Sequence, residues 1–124
     1  MEARAIKRYT RSSPRKMRLV VDLIRGKSAQ EALNILQFHE KDASKACTLT
    51  LKSAISNLQA KDPGLDPESI IVKAAHVDPG PTMKRISPAP MGRAYRIRKR
   101  SHHLTIVVGT PAEEATDNSN KVNE

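Results

Sequence analysis

The spacing of apolar side chains predicts a first helix near the start of the chain. Ser13 is a favourable N-cap, Pro14 suits the first helical position, and Gly26 suits the end of the helix. Between them, apolar residues recur at i, i+3, i+4 and i+7, which is the spacing of one helix face. These residues are Met17, Val20, Val21 and Ile24.

Two further helices are predicted in the middle of the chain. One begins after Ser28, which forms a capping-box pattern with Glu31, and ends near Phe38. The third is longer. Asp42 is its predicted cap, and Asp62-Pro63-Gly64 stops it. Its apolar face comprises Cys47, Leu51, Ala54, Ile55 and Leu58.

Extended structure is predicted on both sides of the helices. Residues 3–9 alternate weakly as a short strand, and two long antiparallel strands are predicted at roughly 70–83 and 93–109. A strand of about 14 residues spans roughly 45 Å, whereas a compact body of this mass is about 30 Å across. We therefore predict an α+β fold. A small body of three helices packs on a small antiparallel sheet, with one long protruding β-hairpin.

The length predicts a single domain over residues 1–110 of the 124-residue chain. Its parts are a body at 1–72 and 104–110 and an extended hairpin at about 70–109 with its tip at about 80–92. Residues 111–124 change character, because acidic residues there stand among Ala, Asn and Ser. We predict an acidic, disordered tail.

Positive charge is concentrated in two segments of a chain whose formal net charge is +9. Residues 1–18 contain a single acid and residues 79–112 contain none, yet together they hold 14 of the 22 Lys and Arg residues. Ordinary surfaces mix signs, and such self-repulsion is costly unless a polyanion neutralises it. Nucleic acid is the predicted partner, with an anionic membrane as the second candidate. The predicted binding residues are Arg4, Lys7, Arg8, Arg11, Arg15, Lys16, Arg18, Lys84, Arg85, Arg93, Arg96, Arg98, Lys99, Arg100 and, as a supplement, His102.

The residue types indicate how nucleic acid is recognised. An arginine fork grips phosphate oxygens bidentately, and alternation on a strand would put Arg96, Arg98 and Arg100 on one face as a phosphate rail. The same run could also be interpreted as a nuclear localisation signal. With three aromatic residues in the chain there is no stacking platform. We expect recognition of backbone phosphates and RNA shape.

Catalytic and metal chemistry have weak support. Gly26-Lys27-Ser28 resembles the end of a P-loop, but Val21 stands where that pattern needs Gly. The single Cys47 lies on an apolar helix face as an inert thiol and indicates a reducing compartment. His102 and His103 point to opposite faces of a strand, which does not suit metal binding. We predict no enzyme activity, no metal and no cofactor.

Several stretches, in the same order, resemble one known family. They are Ser12-Ser13-Pro14-Arg15-Lys16, Arg18-Leu19-Val20, Asp22-Leu23-Ile24-Arg25-Gly26, Ser53-Ala54-Ile55-Ser56-Asn57, Val77-Asp78-Pro79-Gly80-Pro81-Thr82-Met83-Lys84-Arg85-Ile86, Gly92-Arg93-Ala94 and Lys99-Arg100-Ser101-His102. Over about residues 3–108 the chain resembles the bacterial-type family of ribosomal large-subunit protein number twenty-two.

The resemblance implies a structural constituent of the large subunit in the cytoplasmic ribosome. Such a protein would bind 23S rRNA across several rRNA domains, contact neighbouring large-subunit proteins, and aid assembly. Its body would lie near the mouth of the nascent-peptide exit tunnel. The hairpin tip would line the tunnel beside ribosomal protein four, close to where macrolides bind, and would meet the nascent polypeptide in passing. The implied tip residues are Met83, Lys84, Arg85, Pro88, Ala89, Pro90, Met91, Gly92 and Arg93.

This chain departs from the family pattern in two places. Family members commonly carry more positive charge between the positions of Pro88 and Gly92, where this chain has Ala89-Pro90-Met91. The acidic tail is also atypical. The tip of this chain is therefore expected to be more apolar than usual.

Partners of other kinds are not expected. No stretch approaches the roughly 18 apolar residues of a membrane span, and the first ten residues lack the apolar run of a signal peptide. We expect no membrane partner and no homo-oligomer. The main alternative is sequence-specific DNA binding by a helix-turn-helix at 14–25 and 29–38, although the second helix has no Lys or Arg to read bases.

Overall fold

Helices occupy the first half of the chain and paired strands the second, with one strand preceding the helices. The computed structural model describes residues 2–110, so the tail predicted to be disordered lies outside the described residues. The elements are β1 (Glu2–Thr10), α1 (Pro14–Val21), α2 (Ala29–Gln37), α3 (Ala43–Lys61), β2 (Ile71–Pro79), β3 (Met83–Pro88), β4 (Ala94–Lys99) and β5 (His102–Gly109). Short 3-10 turns lie at Pro67–Ser69 and Pro90–Gly92.

The body contains a three-stranded antiparallel sheet in the order β1-β5-β2. The central strand β5 pairs Val108 with Ala3 of β1 and Leu104 with Val77 of β2. Because β5 has a neighbour on each side, its backbone groups are hydrogen-bonded along both edges. The short N-terminal strand predicted from the sequence is confirmed.

The three helices cover one face of this sheet and enclose the core. From the helical half, the buried side chains include Met17, Val20, Val21, Ile24, Ala32, Leu36, Cys47, Leu51, Ala54 and Leu58; from the sheet, they include Ala3, Val72, Leu104, Ile106 and Val108. The three aromatic residues Tyr9, Phe38 and Tyr95 are all exposed, so aliphatic side chains fill the interior. The α+β fold of three helices on an antiparallel sheet is confirmed.

The first helix ends earlier than its apolar spacing predicts. α1 stops at Val21, and the following turns tighten to i→i−3 bonds such as the one from the Leu23 N–H to the Val20 carbonyl at 3.1 Å. The chain then pairs with the edge of β2, where the Gly26 N–H donates to the Val72 carbonyl at 3.1 Å. Gly26 has a φ of +75°, which is costly for other residues. This edge pairing stops the helix.

Of the three predicted helix caps, Ser28 forms a side-chain capping bond, whereas Ser13 and Asp42 stand at their N-cap positions without one. The Ser28 hydroxyl accepts a hydrogen bond from the Glu31 N–H at 3.3 Å, as the capping box predicts. Asp42 stands at the N-cap position of α3, but its side chain makes no capping bond. A cap residue usually has extended backbone, whereas Asp42 has the helical angles φ −61° and ψ −30°. The carboxylate is therefore unable to fold back onto the first turn.

The long hairpin consists of two ladders instead of two unbroken strands. The body ladder of β2 and β5 reaches the pair Pro79 and His102. A separate two-stranded ladder of β3 and β4 begins at the pair Met83 and Lys99 and continues as far as the turn of the hairpin. We call residues 83–99 the arm. No side chain of the arm is buried, so this part of the hairpin has no core of its own.

The interruption between the ladders follows from two prolines. Pro79 and Pro81 have no N–H to donate, so a regular ladder does not continue through them. Two hydrogen bonds cross the gap instead: the Gly80 N–H donates to the Ser101 carbonyl at 2.9 Å, and the Ser101 hydroxyl donates to the Pro81 carbonyl at 2.6 Å. A Cβ on Gly80 would lie 2.8 Å from that hydroxyl oxygen. We call residues 80–82 and 100–101 the junction.

Candidate nucleic-acid interface

The N-terminal basic residues lie on the outer faces of β1 and α1. Alternation along β1 buries Ala3 and Ala5 and leaves Arg4 and Arg8 exposed, while Lys7 is half-buried. On α1 the exposed cations are Arg15, Lys16 and Arg18, opposite the buried Met17, Val20 and Val21. Core packing therefore fixes which way these cations point, and it directs most of them into solvent.

The arm carries cations on both strands. Residues directly opposite each other on paired strands share a face, so Lys84 and Arg98 lie together, next to the pair Ile86 and Arg96. Arg100 follows the end of β4 and lies in the junction. The predicted rail of three arginines is therefore wrong, because the strand ends first. Arg96 and Arg98 share a face with Lys84 from the opposite strand instead.

The positive charges of the arm have no counter-charge among residues 2–110. The ion pairs there lie in the body: they join Arg25 to Asp22 and Lys73 to Glu2, and His76, when protonated, to Asp78. Lys84 and Arg98 lie directly opposite each other on the paired strands. Like charges in that position destabilise the pairing. A two-stranded ladder without a packed face is marginal in water. The arm is thus a surface on which an external polyanion would relieve repulsion.

A basic cleft forms where the N-terminal segment meets the base of the arm. Its volume is about 680 Å³, and it is lined by Arg11, Ser12, Ser13 and Lys16 from the body and by Met83, Arg85, Arg98, Lys99, Arg100 and Ser101 from the arm and junction. Within residues 2–110, no acidic side chain lines it. The two basic segments, separated by about 60 residues in the sequence, therefore contribute to one surface.

His102 does not belong to this surface, contrary to the prediction. Its side chain is fully buried, and its Nδ1 lies 2.9 Å from the carbonyl oxygen of Ser12. A carbonyl oxygen only accepts, so Nδ1 carries the proton and donates it. Because β5 is the central strand and His102 faces inward, the residue ties the β1–α1 loop to the core instead of meeting solvent.

His103 contacts the end of β1, just before that loop, from the opposite face of β5. The Tyr9 N–H donates to the His103 Nδ1 at 3.0 Å, and the two rings meet edge to face with centroids 4.9 Å apart. Tyr9 has a φ of +56°, a conformation uncommon for a non-glycine residue. The opposite orientation of the two histidines was predicted. The hydrogen bonds of these histidines to Tyr9 and Ser12 were not predicted, and no local sequence signal points to them.

The comparison with known proteins decides the family. The family model described as ribosomal protein L22p/L17e matches residues 5–109. The chain belongs to this family. Several proteins similar in sequence to this chain are named large ribosomal subunit protein uL22. The one from Chlorobaculum tepidum is 52% identical over 94% of this chain and 99% of its own length, and the one from Chlorobium chlorochromatii is 57% identical over 87% and 92%. The Maridesulfovibrio salexigens protein is 54% identical over 87% and 97%.

Membership of the L22p/L17e family makes this chain a structural constituent of the large ribosomal subunit, in the cytoplasmic ribosome, and not an enzyme. The P-loop-like Gly26-Lys27-Ser28 accordingly serves the fold. Gly26 pairs with β2 and Ser28 caps α2. Within residues 2–110, no helix is long and apolar enough to cross a membrane, and no group of three or more metal-binding side chains assembles.

The remaining chemistry of this L22p/L17e protein is structural. Burial raises the pKa of the Cys47 thiol from 9.0 to about 12, which keeps it protonated and unreactive at neutral pH. The helix-turn-helix alternative lacks a basic recognition helix. α2 buries Ala29, Ala32 and Leu36, and its one charged residue is the acidic Glu31. Contacts to DNA phosphates need cations, which α2 does not have.

Proposed function

We propose that the chain binds large-subunit rRNA through its exposed N-terminal cations and its arm, and thereby joins several rRNA domains and aids subunit assembly. The observation that carries the proposal is the arm. It has exposed cations on both strands, no acid and no packed face. An element of this kind gains its stabilising contacts only from a polyanion around it. The names of the relatives support RNA as that polyanion.

The binding residues proposed are those that the sequence singled out, without His102 as a direct contact. They are Arg4, Lys7, Arg8, Arg11, Arg15, Lys16 and Arg18 in the body and Lys84, Arg85, Arg93, Arg96, Arg98, Lys99 and Arg100 in the arm and junction. Arginine supplies most of them, and its planar fork suits two oxygens of one phosphate. His102 would act indirectly, by holding the Ser12 loop.

We further propose that the turn of the arm lines the nascent-peptide exit tunnel beside ribosomal protein four and meets the nascent chain in passing. Residues 86–92 carry no charge, whereas cations precede and follow them. This division supports a role in which the strands grip RNA and the turn faces a passing peptide. A neutral turn would not retain acidic stretches of nascent chain as a cationic turn would.

The salt dependence of RNA binding tests the proposal. The full-length chain should bind a large-subunit rRNA fragment with an affinity whose logarithm falls linearly with the logarithm of salt concentration, because neutralised phosphates release counterions. The double variant Lys84→Gln/Lys99→Gln should weaken binding and reduce the slope by about 2, roughly one for each phosphate that is no longer neutralised. Fluorescence anisotropy with a labelled fragment measures both quantities.

A charge-matched variant serves as the control. Lys45→Gln/Lys52→Gln removes two exposed lysines of α3 that belong to neither basic segment and do not line the basic cleft. It should leave the slope within error of the unmodified chain. A salt-independent affinity, or equal weakening in the two double variants, would show that binding does not rest on phosphate contacts along the arm.

A further inference from the structure

We propose that the basic cleft is a phosphate clasp, in which phosphodiester groups of RNA bridge the body and the arm and fix the direction of the arm. The inference rests on the proposed function, since it takes RNA as the ligand. It goes further by assigning a separate role to one group of cations. Those at the cleft would set the geometry of the hairpin, and the other arm cations would add affinity.

The two walls of the cleft belong to different parts of the molecule. Arg11 and Lys16 come from the body, whereas Arg85, Arg98 and Lys99 come from the arm. Cations on both walls repel one another when nothing lies between them. An anion between them interacts favourably with both walls at once, so its binding favours the arrangement that brings the walls together.

The junction between the walls is weakly connected. Within it, among the described residues, two hydrogen bonds join the outgoing segment 80–82 to the returning segment 100–101, and both involve Ser101. The prolines on either side of Gly80 prevent regular pairing. The orientation of the arm is therefore a property that a bound ligand can set with few contacts.

The body wall is held firmly. His102 donates to the Ser12 carbonyl in the loop that carries Arg11, and the Tyr9 N–H at the end of β1 donates to His103, so β5 holds both the loop and the strand that leads into it. His102 is fully buried, which fixes its position in the core. One wall is thus anchored and the other lies beyond the junction, which is the arrangement a clasp requires.

Phosphate fits the cleft better than a carboxylate ligand does. Four arginines and two lysines converge with the hydroxyl side chains of Ser12, Ser13 and Ser101 among the lining residues. A phosphate group offers more acceptor oxygens than a carboxylate, and arginine forks pair with two of them at a time. An acidic peptide is the competing occupant, and the experiment below includes it.

Distance measurement between spin labels tests the clasp on the full chain. Labels at Leu49→Cys on α3 and Met91→Cys in the turn report the arm direction, since both sites are exposed. Double electron–electron resonance should give a broad distance distribution in chloride buffer. The distribution should narrow on adding a short RNA oligonucleotide, and also with inorganic phosphate at higher concentration and matched ionic strength. Narrowing by polyglutamate to the same extent would overturn the phosphate assignment.

Two variants that each remove one Arg and one Lys separate the clasp from general charge. Arg11→Gln/Lys16→Gln removes the body wall and should abolish narrowing, with RNA affinity reduced roughly tenfold because fewer phosphates are neutralised. Arg96→Gln/Lys84→Gln removes arm cations outside the cleft and should weaken RNA binding while narrowing persists at saturation. Narrowing that survives in the first variant would refute the clasp even if salt-dependent RNA binding remains. Absence of RNA binding in the unmodified chain would refute the proposed function itself.

Discussion

At the scale of single residues, His102 shows how a basic side chain can shape a binding surface without joining it. It is fully buried on the central strand, and its Nδ1 donates to the Ser12 carbonyl at 2.9 Å. The loop that it holds leads from β1 to α1 and carries Arg11 into the basic cleft. His102 would therefore affect RNA binding indirectly, by fixing the position of that loop.

Replacing His102 should lower stability more than it alters phosphate contact. His102→Ala leaves a cavity and an unpaired Ser12 carbonyl, so we expect the free energy of unfolding to fall by about 2–4 kcal/mol. In His102→Asn the side-chain amide can still donate to that carbonyl, so the decrease should be smaller. Urea unfolding followed by circular dichroism measures both variants, and the salt slope of RNA binding should be unchanged in His102→Asn.

The exposed His76 provides the control for this prediction. Its substitution by Ala should change the free energy of unfolding by no more than about 0.5 kcal/mol, as is usual on a surface. Equal effects of the His76 and His102 substitutions would mean that the buried hydrogen bond does not hold the loop. A reduced salt slope in His102→Asn would instead indicate that this imidazole contacts phosphate directly.

At the scale of elements, the arm ladder is formed by strands whose charges oppose their pairing. Lys84 lies opposite Arg98, and no side chain of the arm is buried. Little stabilises such a ladder beyond its backbone hydrogen bonds and its turn. In that turn Met91 and Gly92 have positive φ. We expect its amides to exchange quickly in the free protein, while those of α3, which packs in the core, exchange slowly.

Reversing one charge should stabilise the free arm and weaken its binding to RNA. Lys84→Glu replaces a repulsive cross-strand pair with an attractive one, which is worth about 0.2–1 kcal/mol. Hydrogen exchange of the arm amides should slow by up to roughly fivefold, and α3 should be unaffected. RNA affinity should fall further than in Lys84→Gln, because a carboxylate also repels phosphate. Arm protection no greater in Lys84→Glu than in Lys84→Gln would contradict the repulsion.

Local sequence signals predicted most elements, and tertiary contacts explain where they failed. The capping box at Ser28 depends on neighbouring residues alone and forms as predicted, whereas Gly26 lies beyond the end of α1 and pairs with Val72 of β2. The end of α1 depends on pairing with β2, some 45 residues further along the chain, so the helix spacing could not give it. The junction could have been recognised, because Pro79 and Pro81 exclude an unbroken ladder.

The candidate surface was predictable in composition but not in arrangement. The charge pattern identified the cations of the N-terminal segment and of the arm, since a segment with few or no acids is visible without a structure. The meeting of Arg11 and Lys16 with Arg98 and Lys99 in one cleft depends on how β1 and β5 pair, and no local pattern encodes that. The burial of His102 could not be predicted for a similar reason. Strand alternation places His102 and His103 on opposite faces of β5, but it does not indicate which face the helices cover.

At the scale of the whole molecule, folding and binding are divided between two parts of the chain. Every residue of the apolar core lies outside residues 83–99. The body is therefore expected to fold without the arm, and the arm is free to carry charges that a core could not tolerate. This separation lets one small domain combine a stable interior with an extension shaped for its surroundings.

The position of the arm turn in the assembled subunit gives the final prediction. A photo-crosslinking residue in place of Met91, which is 94% exposed, should capture nascent polypeptide in translating ribosomes that carry this chain, because the turn is proposed to face the tunnel. The same residue in place of Phe38, which is 81% exposed at the end of α2, should not capture it. Crosslinks are detected on a radiolabelled nascent chain. Capture from Phe38 alone would reverse the proposed orientation, and crosslinks from Met91 only to rRNA would remove the turn from the tunnel wall while leaving the RNA-binding arm intact.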